Sequence, residues 1–496
     1  KNNVMHLQQY YVIILIYKMQ VYFLRGNKTL KKSIITLLLA SFILTEITPA
    51  ACFAIGNKNQ SNEPKKVSIT KTHKQREKSD EFKYEYINYN WWKNFNDDIL
   101  NGYIDKAIKN NYDLKMATNT VDEYYQAVKI QFANELPMAG VGLGSGYSKM
   151  SGNNSADWAF AMPAFASYEV DLFLKNHDKT NASKKQYEAT LQDERAAYIS
   201  IASAVGTTYL NIIKFDKMIE LQEEIVKDRK TIYNLMLARN KEGLTSTADT
   251  VKANKAYIAG NTDLTEYKKQ RTKLLNQLCV LIGENPNNAD KITRTSFEQL
   301  SYSGVIPTEI SSDVITNRPD YLKAEKNVEK AGIDVKVAKK EFLPSINIGA
   351  VAMFLSGDIG SLWSTKNALA ALGGGLGLPL FTGGRRIANL KMKKVEYERV
   401  LNNYYQTNLT AIQEINDAMV SIKLDEEKYQ DTKKQAKLER EDFGYSTDKF
   451  NQGTISKLDL TQVKENVLFT DQQVVNDKIN CLVNYIGLYK ATGSQL

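Results

Sequence analysis

The chain has 496 residues, 43% of them hydrophobic and 24% charged, with 9 prolines, 28 tyrosines and a formal charge of +9. That length accommodates two or more ordinary domains, the composition is that of a folded protein, and scarce proline permits long uninterrupted helices. The charge misleads: residues 1–54 hold Lys1, Lys18, Arg25, Lys28, Lys31 and Lys32 against Glu46, a net +5 that leaves +4 on the remainder, and nothing there calls for a nucleic-acid partner.

The first 54 residues read as an address. "NKTLKK" is a basic region, "SIITLLLASFIL" an apolar run of about a dozen residues, and "TPAACFA" a small-residue exit. The run is shorter than the ~20 residues of a spanning helix, so export is expected rather than anchoring. Residues 1–18, before Met19, carry a separate apolar patch and read as upstream sequence or a misassigned start. "PAAC" resembles the end of a lipoprotein signal, which would place a lipid on Cys52; Pro49 fits that poorly, and cleavage after Ala54 is the alternative. Cys279 and Cys481 lie in periodic helical stretches and read as buried apolar side chains, not a disulfide framework. Residues 55–90 are rich in Lys, Asn, Ser and Glu and read as a flexible lead-in. Beyond the leader, no segment reads as apolar enough to span a membrane as a helix.

From residue 91 the chain states one plan twice. The stretches beginning at Asn110 and Asn317 agree without a gap at Asp113/Asp320, Ala117/Ala324, Val121/Val328, Val128/Val335, Lys129/Lys336, Leu136/Leu343, Pro137/Pro344 and Gly142/Gly349. Such an internal repeat decides the fold class. In the first copy (91–316), Ile99, Tyr103, Ala107, Leu114, Ala117, Val121, Tyr124 and Val128 step by three and four, which predicts an amphipathic helix ended by Pro137. Trp91 and Trp92 read as core packing at its start. Alternating Gly140, Gly142, Gly144 and Gly146, a polar turn and "WAFAMPAFASYEVDLF" predict a hairpin over about 138–173. A helix then runs from about Lys175 to Asn240, roughly 100 Å at 1.5 Å per residue. It stops at Gly243 and returns over about 247–282. Residues 284–316 read as an irregular segment.

The second copy (317–496) repeats a helix over about 319–342, a hairpin over about 345–381, a long helix over about 384–450 and a return helix over about 456–492. Gly243/Gly453, Ser246/Ser456 and Asp249/Asp459 align at an offset of 210. In the long helices Tyr198, Ile201, Val205, Ile212, Phe215 and Ile219 form a heptad-like seam, which predicts coiled-coil packing.

Two hairpins supply four strands, too few to close a barrel, and an open edge is not viable in lipid. Three chains would supply twelve, and even-numbered membrane barrels from eight strands upward are known. The fold class is therefore α+β: a transmembrane β-barrel shared by a trimer, above a long coiled-coil α-helical barrel.

The elements "WWKNFNDDILNGYIDKAIKNNYDL", "IPTEISSDVITNRPDYLKAEKNV", "EFLPSINI", "LGLPLFTGGRR", "NQGTISKLDL" and "LVNYIGLYKATG" together resemble the TolC-like outer membrane factor family, within it the lipoprotein branch that serves multidrug efflux pumps. The likeness runs from about residue 91 to the C-terminus. It implies a homotrimer in outer membrane lipid with a periplasmic tunnel, working with a periplasmic adaptor and an inner-membrane transporter. It also implies a tunnel tip at the two turns, Gly243 with Asp249 and Phe450 with Gly453, and a carboxylate at the pore constriction, Asp459. The chain departs from the family at Glu309 and Ser311, where a glycine and a proline are usual. It departs again at Phe450, Ile455 and Gln462, where a tyrosine, an arginine and a second aspartate help close some members.

Asp459 has a plainer reading as a helix cap, and the repeat favours it, because Asp249 holds the equivalent place. Arg385 and Arg386 follow "TGG" at the hairpin-to-helix corner and read as a solvated basic corner near the inner bilayer face, in preference to a ligand site. "GVGLGSG" and "GGGLGLPL" lack nucleotide-loop spacing. His6, His73 and His177 make no metal constellation, and no nucleophile–base pair is apparent. The expected function is a passive export duct for drugs or other small molecules, with no cofactor and no catalysis. A type I protein secretion duct and a non-conducting trimeric coiled-coil scaffold or adhesin are the alternatives.

Overall fold

The computed structural model describes residues 91–149, 156–307, 310–311 and 313–494. The leader, Cys52 and the lead-in of 55–90 lie outside the described residues. The helices are α1 (Asp98–Asn110), α2 (Tyr112–Ala133), α3 (Lys175–Lys241), α4 (Thr247–Leu281), α5 (Asp313–Thr316), α6 (Pro319–Lys340), α7 (Arg385–Asn451) and α8 (Lys457–Ala491). The strands are β1 (Met138–Val141), β2 (Gly144–Lys149), β3 (Ala156–Val170), β4 (Ser345–Ser356) and β5 (Ala368–Gly377), five where two hairpins predict four, because the first arm of the first hairpin is interrupted between Val141 and Gly144 and both pieces pair with β3.

The copies match in length as well as in order. α3 and α7 each have 67 residues, α4 and α8 each 35, and α2 and α6 each 22. The single amphipathic helix expected at the start of the first copy is instead two. Asn111 ends α1, accepts the Leu114 N–H at 3.0 Å as the N-cap of α2, and donates Nδ2 to the Leu281 carbonyl at 2.9 Å. The periodicity runs through the break because both halves bury the same stripe. A capping side chain with a tertiary partner therefore interrupts a helix that the apolar pattern alone would continue.

Contacts divide the chain into two compact units, and the boundary does not fall between the two copies: of the described residues, those in 142–162 belong to one unit and those in 91–141 and 163–494 to the other. In the smaller unit, β2 pairs antiparallel with the first part of β3, from Gly144 opposite Ala161 to Lys149 opposite Ala156. In the larger unit, β1 pairs with β3 from Met138 opposite Ser167 to Val141 opposite Ala164. β4 pairs with β5 from Ser345 opposite Gly377 to Phe354 opposite Ala368. Strand order is β1-β3-β4-β5. Gly140 has a specific role: a Cβ there would lie 2.6 Å from the Phe165 ring of the facing strand, so the ring occupies the space a side chain would need.

The main core sits where α1, α3, α4 and α8 converge. Trp91 is 1% exposed and stacks on Tyr489 with ring centroids 5.1 Å apart, and Phe95, Leu100, Ile104, Tyr209, Ile213 and Leu278 pack around it. Both tryptophans are thus core residues. Burial of this kind stabilises by roughly 1.5–3 kcal/mol per large apolar side chain. The N-cap Asp97 accepts from the Ile99 and Leu100 amides and from the Tyr209 hydroxyl at 2.8 Å, which ties α1 to α3. Further along, Gln472 donates to Gln222 at 2.9 Å, and Gln222 donates to the Gly260 carbonyl at 3.0 Å. Buried polar pairs of this sort hold neighbouring helices in one register. Of the expected seam, Val205, Ile212 and Ile219 are buried, while Tyr198, Ile201 and Phe215 are half-buried.

One window in α3 reaches a mean hydropathy of 1.3, which corrects the expectation that no segment is apolar enough to span as a helix. More than half of that window, 56%, is buried within the protein, which fits a core helix equally well. Cys279 and Cys481 are free and buried. Residues 284–316 contain short 3-10 turns at Pro286–Lys291 and Phe297–Gln299 and the single turn α5.

Candidate functional site

Two turns join the long helices to their returns, and both are built from the same local rules. Each long helix ends on a glycine in the left-handed region, Gly243 at φ 71 and Gly453 at φ 72. The amides that follow close back onto the helix: Leu244 onto the Arg239 carbonyl at 2.8 Å and Thr454 onto the Lys449 carbonyl at 2.9 Å. A residue with a Cβ resists that conformation, which is why glycine stands there. The return helices then start on serine caps. Ser246 Oγ accepts the Asp249 N–H at 3.0 Å, and Ser456 Oγ accepts the Asp459 N–H at 3.2 Å.

The carboxylates answer the caps, with one difference between the copies. Asp459 Oδ2 accepts from the Ser456 hydroxyl at 2.7 Å and from the Ser456 N–H at 3.0 Å, completing a reciprocal capping box. Asp249 Oδ2 accepts from the Ser246 hydroxyl at 2.6 Å and more loosely from Thr245 Oγ1 at 3.5 Å. These serine hydrogen bonds hold both carboxyls below the usual aspartate range, so both are ionised at neutral pH. Phe450 is half-buried, with the Lys457 ammonium 5.5 Å above its ring.

The structure therefore brings the predicted site residues together as two exposed turns: Gly243 with Asp249, and Phe450 with Gly453 and Asp459. It establishes the capping role of Asp459. Behind the turns lie polar links that sequence reading did not find. Arg229 pairs with Glu465 at 3.0 Å and donates to the Ala256 carbonyl at 3.1 Å, joining α3, α8 and α4. Lys464 reaches Glu224 at 2.7 Å and Asp228 at 2.8 Å. Burial works against the Lys464 charge, but the hydrogen bonds to Asp228 and Glu224 outweigh it and raise its pKa. The ion-pair partners on α3 and α8 lie more than 200 residues apart in sequence, and no local pattern marks them.

His177 is exposed, with Nδ1 3.4 Å from Glu135. Among the described residues no group of His, Cys, Asp and Glu could hold a metal ion.

The chain thus carries paired hairpins joined to long helices, in two matched copies. The profile of the outer membrane efflux protein family matches residues 103–284 and 310–494, and the chain belongs to that family. It is 26% identical over 411 residues to the probable efflux pump outer membrane protein TtgC of Pseudomonas putida, covering 81% of this chain and 84% of TtgC. It is 24% identical over 416 residues to the cation efflux system protein CusC of Escherichia coli K12, covering 82% and 89% respectively. Among solved structures, the CmeC outer membrane channel of Campylobacter jejuni superposes with a TM-score of 0.73 at 25% identity, over 89% of this chain and 94% of CmeC.

Proposed function

We propose that three copies of this chain form a passive efflux duct: a twelve-stranded barrel in the outer membrane continued by a periplasmic tunnel of paired helices. The observation that carries this reading is the sheet edge. All ten residues of β5 are exposed, among them Leu369 at 63%, Leu372 at 81% and Leu376 at 69%. β5 pairs with β4 alone among the described strands. An apolar strand with one unpaired side is tolerated in a bilayer only if another strand completes it. β4 and β5, at 12 and 10 residues, meet the ~9–11 residues a tilted strand needs to cross. Export energy would come from an inner-membrane transporter reached through a periplasmic adaptor, and no reaction is assigned to the chain. A lipid on Cys52 and a pore-lining position for Asp459 belong to the same proposal.

The matches to efflux proteins favour small-molecule export over protein secretion, and the exposed apolar hairpin edge argues against a soluble scaffold. The test is the mass of the detergent-purified protein by light scattering, corrected for bound detergent. Three chains per particle is the expected result. A particle that stays monomeric in several mild detergents would sink the closed-barrel reading.

A further inference from the structure

The corner between hairpin and long helix occurs twice, and the two copies handle charge differently. α3 begins at Lys175 and α7 at Arg385, again an offset of 210. In the first corner Asp171 neutralises the turn: its Oδ1 accepts the Lys175 N–H at 2.6 Å and its Oδ2 the His177 N–H at 2.8 Å. The Lys175 ammonium is itself paired with Glu169 at 2.6 Å. In the second corner the place of Asp171 is taken by Phe381, 89% exposed, and the places of Lys175 and Asn176 by Arg385 and Arg386. No carboxylate among the described residues lies within ion-pairing distance of either guanidinium, and Arg386 Nη1 is buried without a hydrogen-bond partner.

Both corners open onto one cavity of about 1060 Å³. Lys179, Arg385 and Arg386 line it with no acidic partner of their own, beside an apolar wall that includes Leu378, Pro379 and Met392. The acids in the same lining are engaged elsewhere: Asp171 by backbone amides, Glu169 by Lys175, and Glu341 by Asn389 Nδ2 at 3.0 Å. Arg385 is exposed and Arg386 half-buried, so solvation offsets only part of the cost of this arrangement. Two cations in a first helical turn oppose the helix dipole, and a buried guanidinium nitrogen without a partner is costly. A guanidinium fork matches the oxygens of a phosphate.

We propose that this cavity binds a phosphate-bearing anion, held by Arg385, Arg386 and Lys179, with the apolar wall receiving whatever carbon chain the phosphate carries. A phospholipid headgroup and a free phosphate share this chemistry. The cavity site itself does not depend on the hairpins spanning a bilayer; the lipid arm of the test does.

The experiment uses the full-length protein, purified in non-ionic detergent and stripped of lipid. It is titrated with phosphatidylglycerol, with diacylglycerol of the same chains but no phosphate, and with inorganic phosphate. Bound lipid is read by native mass spectrometry and phosphate by the thermal midpoint. Arg385→Gln/Arg386→Gln should weaken binding about tenfold or more, since charge-assisted hydrogen bonds are lost. Arg386→Lys, which keeps the charge but not the fork, should fall between. Lys437→Gln, on the same helix and 79% exposed, should bind as the parent does. Retention of phosphatidylglycerol over diacylglycerol, lost in the double variant, identifies the lipid headgroup. Protection by phosphate with no preference between the two lipids identifies a soluble anion. Lys179→Gln serves if the double variant loses its helical circular dichroism. Equal binding by parent and variants, or no binding of either phosphate source to the parent, overturns the proposal.

Discussion

Ser456 and Asp459 form one capping unit, yet only one of them would matter to a passing ion, and that separates the two roles of Asp459. Ser456→Ala removes the acceptor for the Asp459 amide, a bond of 3.2 Å, and one donor to Asp459 Oδ2, a bond of 2.7 Å. It leaves the Ser456 N–H on the carboxylate. Loss of a serine N-cap costs about 1 kcal/mol, so opening of the first turn of α8 should rise about fivefold. Amide hydrogen exchange over 457–461 measures this directly. The charge at the turn is unchanged, so reversal potentials of single channels in a salt gradient should match the parent. Asp459→Ala should also loosen the turn, but if three copies of the carboxylate surround a narrow axis it must in addition reduce cation preference. Asp249→Ala is the internal control: it disturbs the equivalent cap and should leave selectivity alone. Reversal potentials for Asp459→Ala that match both the parent and Asp249→Ala would refute the pore role and leave Asp459 as a cap.

Three further outcomes are expected. Gly453→Ala should cost roughly 1–2 kcal/mol, because φ is 72 but nothing lies within 4 Å of the new Cβ. Gly283→Ala should cost roughly 1–3 kcal/mol more, because its Cβ would lie 2.7 Å from the Asn110 carbonyl oxygen; equal shifts in the denaturation midpoint would contradict this. Burial, aided by the Glu426 and Asp425 carboxylates, pushes the Cys481 thiol up to about 12, and burial also raises Cys279. Neither should therefore react with maleimide at pH 8 in the folded protein, and both should react in denaturant; labelling at the rate of a free thiol would refute the packing described for α4 and α8. The Asp249 and Asp459 carboxyls are depressed by their serine partners. Their contribution to the turns is complete above the usual aspartate range and is lost as pH falls through the lower folded value. Amide protection of both turns should then be constant from pH 8 to 5 and decline only below about pH 4; a decline near pH 6 would show that other groups control it.

The sequence by itself determined the repeat, the order of the main elements and the two turns at Gly243 and Gly453. Each of those rests on local chemistry: three-and-four spacing, alternation, proline stops, and glycine followed by a serine cap. A second pair of helix ends, Gly283 at φ 73 and Gly493 at φ 66, is also 210 residues apart and follows the same rule of a left-handed glycine after the last helical turn. Tertiary structure alone decided the break at Asn111, where the Leu281 carbonyl supplies a partner that no window of sequence contains. It alone decided the Arg229–Glu465 and Lys464–Asp228 links, since the packing of α8 against α3 chooses which of many lysines, arginines and acids meet. The same holds at the basic corner. Arg385 is exposed, as the solvated reading expects, but only the convergence of both hairpin ends with the starts of α3 and α7 left it and the half-buried Arg386 lining one cavity without an ion-pair partner of their own.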